Sequence, residues 1–190
     1  MFAVVLLALA SLALFTGSTA ASMLHRRAGI VRDTVLPLCR DDIKPLLRQT
    51  HSFRVTTRHH FAAEPSRVYA ALEQGAFSWL PLTAGISYPT PARGVGAARS
   101  FSTYLFAATE QVLSDNPSEH LSTIGFRTSI PLLVHSYRQD YQLVPDATGT
   151  TVTWTLRGRP GILAFVPLRW TAPLVRPFTR LALARLSSRL

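Results

Sequence analysis

The chain has 190 residues, 47% of them hydrophobic, and a formal net charge of +10. That length favours one domain with enough chain for a true core. A single cysteine, Cys39, excludes an internal disulfide and a multi-cysteine metal site, while a single lysine, Lys44, leaves the positive charge to arginine, a ratio read as genome composition rather than a need for guanidinium chemistry.

Residues Phe2 to Leu24 carry no charge, and Phe2 to Phe15 is apolar apart from Ser11. As a helix, this stretch would span about 34 Å at about 1.5 Å per residue, enough for a bilayer core of about 30 Å. Arg26, Arg27 and Arg32 follow it, so the positive-inside tendency places the C-terminal domain in the cytoplasm. The alternative is a signal peptide with small residues at Ser18-Thr19-Ala20, although no basic region precedes the apolar run. The chain therefore divides into an anchor or signal (1–24), a juxtamembrane linker (25–52) and a folded domain (53–190). Pro37 and Pro45 interrupt any long helix in the linker.

Phe53 to Phe61 reads as a first strand. Glu64-Pro65 opens a helix, with Pro at the first helical position. Val68, Ala71 and Leu72 share its apolar face, and Gly75 ends it. Phe77, Trp79 and Leu80 form a short apolar segment before Pro81. After the Gly94–Gly96 turn, Ala97 to Leu113 reads as one or two strands with a bend near Ala107-Ala108. Asp115-Asn116-Pro117-Ser118 is a turn, Leu121 to Ile130 a strand, His135 to Val144 another, and Thr150 to Leu156 the last. In these last two strands His135, Tyr137, Tyr141 and Leu143, with Val152, Trp154 and Leu156, mark an apolar face, and the intervening Ser, Arg, Asp, Gln and Thr residues a wet one. A final helix is expected to begin near Pro173 or Pro177, with Phe178, Leu181 and Ala182 as its apolar stripe.

The pieces Ala63-Glu-Pro-Ser-Arg-Val-Tyr-Ala-Ala-Leu72, Trp79, Gly94-Val-Gly-Ala-Ala-Arg99, Glu110 with Asp115-Asn-Pro117, and Tyr141-Gln-Leu-Val-Pro145 leading to Gly149-Thr-Thr-Val-Thr-Trp154 occur in an informative order. Together they resemble the SRPBCC superfamily, also called START-like or Bet v 1-like, and within it the polyketide cyclase/dehydrase group, over about residues 53–190. The resemblance implies an α+β helix-grip fold, a curved antiparallel sheet wrapped on a C-terminal helix with a pocket between them. It also implies hydrophobic ligands such as lipids, sterols or polyketides, and in a few members cyclase activity. The Pro- and Arg-rich C-terminal segment departs from the family pattern and leaves the shape of the pocket lid open.

Other chemistry finds little support in the sequence. Gly94-Val-Gly-Ala-Ala-Arg99 lacks the third glycine of a dinucleotide fingerprint and leads into a strand. His59-His60 are adjacent on a strand and face opposite ways, so they do not share a metal ion. No cofactor and no metal are expected. The pocket-lining candidates are Trp79, Phe101, Tyr104, His135, Tyr137, Tyr141 and Trp154, with Arg99, His135 and Tyr137 fixing a ligand's polar end. Arg99 and Glu110 can instead pair across neighbouring strands. Arg176, Arg180, Arg185 and Arg189 beside Phe178, Leu181 and Leu186 suit an anionic membrane surface. No nucleic-acid motif accompanies them. The expected function is binding of a hydrophobic small molecule or lipid near a membrane. The alternatives are a cofactor-independent cyclase using His135 and Tyr137, and a membrane-associated interaction module without a pocket.

Overall fold

The computed structural model describes residues 2–38, 43–46, 53–74, 83–132, 134–161 and 168–190, with the side chains of residues 2–17, 83–84, 160, 168–172 and 174 outside the described set. Trp79 and the stop expected at Gly75 lie outside the described residues. The elements are α1 (Phe2–Asp33), β1 (Phe53–Phe61), α2 (Pro65–Glu73), β2 (Thr83–Ser87), β3 (Ala98–Thr103), β4 (Ala107–Asn116), β5 (His120–Thr128), β6 (Val134–Asp146), β7 (Gly149–Pro160) and α3 (Leu168–Ser187). The strands form one seven-stranded antiparallel sheet in the order β1-β7-β6-β5-β4-β3-β2. Apart from the β1–β7 pairing, every sheet neighbour is also a chain neighbour, so short hairpins suffice to build it.

Cross-strand partners share a face of the sheet. Phe61, Thr57 and Val55 of β1 therefore lie on the same side as Val152 and Trp154 of β7 and Tyr141 and Leu143 of β6. This inner face carries the main core. Phe61, Val112, Leu121, Tyr141, Leu143, Val152 and Trp154 meet Val68, Tyr69 and Leu72 of α2 and Ala182, Leu183 and Leu186 of α3. Tyr141 stacks on Trp154 with ring centroids 5.2 Å apart. Thr57 of β1 and Thr179 of α3, both buried, exchange a hydrogen bond of 2.6 Å that ties α3 to the edge of the sheet.

The outer face is polar over β6 and β7, as the alternation predicts: Arg138 reaches Asp140 there, and Asp140 also accepts from Ser122 of β5, which is buried, as is its neighbour Ile124. Over β3 and β4 it is covered. Ala28 and Val31 of α1 pack on Ala107. Beyond the helix, Gln111 donates to the Leu38 carbonyl and accepts from the Leu38 amide. Small residues at Ala98, Ser100, Ser102, Ala107 and Thr109, all buried, are what let a helix lie this close. The helix that starts in the apolar segment thus continues past Leu24 and docks on the domain. Among the described residues no helix is long and apolar enough to cross a membrane; the apolar side chains of residues 2–17 are not among them.

Four details differ from the sequence expectation. The break between β3 and β4 falls at Tyr104–Phe106, not at Ala107-Ala108, because Thr103 closes a tight turn by accepting from the Phe106 amide and donating to its carbonyl. β2 is not among the strands expected from the sequence, and its pairing with β3 shifts register between Thr83 and Gly85. The last helix starts at Leu168, with Pro173 and Pro177 inside it. Its buried stripe is Thr179, Ala182, Leu183 and Leu186, while Phe178 and Leu181 are about half exposed (47% and 48%).

Candidate functional site

The inner face carries one closed polar cluster. Arg99 of β3 and Glu110 of β4 are direct cross-strand partners. Their side chains are almost wholly buried, and Arg99 Nε donates to Glu110 Oε2 at 2.8 Å. The other carboxylate oxygen accepts from the Tyr137 hydroxyl at 2.7 Å and from Gln139 Nε2 at 2.9 Å. Tyr141 extends the chain by donating to Gln139 Oε1 at 2.8 Å. Arg99 Nη1 also donates to the Glu73 carbonyl at 3.3 Å, satisfying one of the free carbonyls at the end of α2. Tyr88 lies 3.5 Å from the same nitrogen and carries the guanidinium of Arg93 over its ring at 3.7 Å.

Gly125 makes this arrangement possible. It sits on the inner face between Glu110 and Tyr137 as the cross-strand partner of both. A Cβ there would lie 2.4 Å from the Tyr137 ring, so only glycine lets the ring lie flat across β5 and reach the carboxylate.

Burial sets the protonation of the cluster. Desolvation of the neutral-to-anion change, reinforced by the Glu110 carboxylate, holds the Tyr137 and Tyr141 phenols well above their ordinary value. Both are therefore neutral donors at physiological pH. For Arg99, burial works to lower the pKa, but the Glu110 carboxylate and Tyr88 outweigh it, and the guanidinium is held above its ordinary value. The cluster is a permanent cation and a row of fixed donors around one carboxylate, set in an aromatic wall. Phe106 adds to that wall from the β3–β4 turn, with ring centroids 6.4 Å from Tyr137 and 6.2 Å from Phe101.

Of the sequence-predicted residues, Arg99, Tyr137, Tyr141 and Trp154 are buried on the inner face, with Phe101 partly buried beside them. Two are elsewhere. His135 is exposed, because the β6–β7 register slips between Val134 and Ser136 and breaks the alternation just before Tyr137. Tyr104 is 49% exposed at the β3–β4 turn, outside the grip, where its ring stacks on His25 of α1 at 4.4 Å. Sequence reasoning missed Gln139 and Gly125. Gln139 falls on the same parity as Tyr137 and Tyr141, which was the available signal. Gly125 gave no signal, since its role depends on a neighbouring strand.

His59 and His60 part as their adjacency requires. His59 packs edge-on against Phe61, and burial, then His60, lowers its pKa. His60 bonds instead with Asp146 and Thr148. Among the described residues no three His, Cys, Asp or Glu side chains converge to hold a metal ion.

A family model described as "Polyketide cyclase / dehydrase and lipid transport" matches residues 52–190. Solved structures with the same fold include a START superfamily protein from Mycobacterium smegmatis, 14% identical with a TM-score of 0.59, over 74% of this chain and 97% of that one. A protein from Thermus thermophilus is 16% identical with a TM-score of 0.59, over 72% and 96%. The protein named Ara h 8.0201 is 6% identical with a TM-score of 0.56, over 72% and 96%. At these identities the likeness is one of fold. Among curated proteins no match was found.

Proposed function

Since the chain belongs to the polyketide cyclase/dehydrase and lipid transport family, we propose that it holds a hydrophobic small molecule or lipid in the helix grip, next to a membrane. One observation carries this reading: the buried cluster of Arg99, Glu110, Tyr137, Gln139 and Tyr141 interrupts an otherwise aromatic and aliphatic face. Sites for apolar ligands combine such a wall with a few convergent polar groups. Phe101, Tyr137, Tyr141 and Trp154 would cover the apolar body, and Arg99 would donate to a carbonyl or hydroxyl at its polar end. The enzymatic alternative rests on Tyr137 alone, since His135 faces solvent.

In this reading the apolar residues 2–24 hold the chain in the bilayer, and Arg26 and Arg27 keep the domain on the cytoplasmic side. Export after cleavage near Ala20 is the alternative. The exposed Arg176 and Arg180, beside the half-exposed Phe178 and Leu181 of α3, offer a second contact with anionic lipid.

The test is photocrosslinking in nanodiscs. Full-length chain is exposed to diazirine-bearing fatty acid and sterol probes, and the adducts are mapped by peptide mass spectrometry. Adducts at Phe101, Tyr141 or Trp154 support the grip as the binding site. Adducts restricted to residues 1–24 would mean that lipid surrounds the anchor and does not enter the domain.

A further inference from the structure

The course of α1 determines which end of the domain meets the bilayer. His25 lies at the β3–β4 turn, its Nδ1 3.0 Å from the Tyr104 carbonyl and its ring on the Tyr104 ring. Three to six residues later, Ala28 and Val31 reach Ala107 at the start of β4. Leu38 then meets Gln111, further along the same strand. The polypeptide therefore advances in the direction of β4, and the backbone helix N-terminal to His25 projects past the end of the sheet where β3 turns into β4. Its 23 residues from Phe2 to Leu24 amount to about 34 Å of helix.

That end of the sheet differs from the other. The Thr103–Phe106 turn presents Tyr104 and Leu105, 49% and 40% exposed. The β5–β6 connection lies beside it, since the Ser129 amide donates to the Ala107 carbonyl at 2.8 Å, and it presents Leu132, 46% exposed. Met23, the last exposed apolar residue of α1 before His25, is 68% exposed. Around these stand Arg26, Arg27, Arg54, Arg127 and Arg159, all exposed; Asp33, further along α1, is paired with Arg32. The hairpin tips at the opposite end carry Asp115, Glu119 and Asp146. Apolar tips within a basic rim are the composition of a surface that enters the headgroup layer of an anionic bilayer.

We infer that the end of the sheet formed by the Thr103–Phe106 turn and the β5–β6 connection is a membrane-docking face, with Tyr104, Leu105 and Leu132 inserted at the headgroup level of the bilayer that holds residues 2–24. The inference rests on the anchored reading of residues 2–24 and adds a fixed orientation to it. A helix that ended at Leu24 and a free linker would leave the domain to tumble; the docking of His25, Ala28 and Val31 does not. Phe106 of the same turn packs toward Tyr137, so the docked end borders the inner cluster.

The experiment uses full-length chain in vesicles of phosphatidylcholine and phosphatidylglycerol, in a Cys39→Ser background. Nitroxides are attached through Leu105→Cys, Leu132→Cys and, as the control at the opposite end, Ala147→Cys. The expected result is high collision with oxygen and low collision with a water-soluble nickel chelate at 105 and 132, and the reverse at 147. Nickel accessibility at 105 and 132 equal to that at 147, with the chain still resisting alkaline extraction, would overturn the docking face and leave the anchor standing. Low collision with both reagents at 105 and 132 would also overturn it, because that pattern reports a protein partner. Release of the chain from the vesicles by alkali would remove the anchored reading and the orientation with it.

Discussion

Replacing Glu110 by Gln keeps the size of the side chain and removes its charge. The Arg99 guanidinium, 2% exposed and bonded to Glu110 at 2.8 Å, is then a buried cation without its counter-charge. The bond from Tyr137 and the bond from Gln139 to Oε1 survive only if the new amide presents its oxygen to them, which turns its NH2 toward Arg99. Breaking a buried pair from one side typically costs about 3–5 kcal/mol. At about 4 °C per kcal/mol for a domain of this size, Tm falls by roughly 12–20 °C. The assay is thermal unfolding of the full chain in detergent micelles, followed by near-ultraviolet circular dichroism. The double variant E110Q/R99M removes the stranded cation and is expected to recover more than half of the loss, because the penalty lies in the unpaired charge rather than in the lost attraction. An E110Q variant whose Tm lies within about 3 °C of the parent would refute the reasoning, since it implies a cost below about 1 kcal/mol. A double variant no better than the single would place the cost in the Glu110 bonds to Tyr137 and Gln139.

Gly125→Ala forces a Cβ to 2.4 Å from the Tyr137 ring and is expected to destabilise by about 1–3 kcal/mol, as overpacked cores do; unchanged denaturant midpoints would show that the ring has room to move. The buried Tyr137 and Tyr141 phenols, raised in the folded state, give a signed pH dependence. Below about pH 10 both states are protonated and stability is complete; above it the unfolded chain ionises first, so stability falls by up to about 1.4 kcal/mol per pH unit for each phenol. Absorbance at 295 nm should then show at least two of the five tyrosines ionising only on unfolding, and all five ionising together near pH 10 would contradict the buried cluster. Asp146 is held low by bonds from the Thr148 hydroxyl and amide. Its contribution is present above the ordinary carboxylate range and lost as pH falls below it, so the protection factor of the Thr148 amide should fall in acid, and an Asp146→Ala variant should leave that amide unprotected at every pH. Thr179→Val removes the 2.6 Å bond to Thr57 and should cost about 1–3 kcal/mol by leaving a buried hydroxyl unpaired; a neutral effect would mean that apolar packing alone docks α3.

How much of this was legible follows from the range of the signals. β1 is found where the Thr- and Val-rich run predicts it, and α2 where Glu64-Pro65 opens it, because strand alternation and helix caps are local. The Arg99–Glu110 pairing was available as an alternative because the turn between β3 and β4 is short and its register follows closely. His135 was misplaced by the slip at Val134/Ser136, which changes every face assignment on one side of it and leaves no trace in composition. Tyr104 was misplaced because the break between β3 and β4 comes three residues earlier than the small Ala107-Ala108 pair suggests. The stripe of α3 was misread because Thr179, a polar residue, is inward through its bond to Thr57, while Phe178 and Leu181 are outward. The docking of α1 could not be read at all: Ala28, Val31 and Ala107 are ordinary residues whose meeting is set by the tertiary fold.

The central claim is that the grip holds an apolar molecule, and native mass spectrometry tests it most directly. Full-length chain is incubated with a lipid extract of its source, purified in detergent and released from micelles in the gas phase. The account predicts a defined mass increment of one small molecule per chain that survives detergent exchange and is diminished by Arg99→Met or Tyr137→Phe. A bare chain mass after incubation, or an increment unaffected by either substitution and lost on detergent exchange, would contradict it.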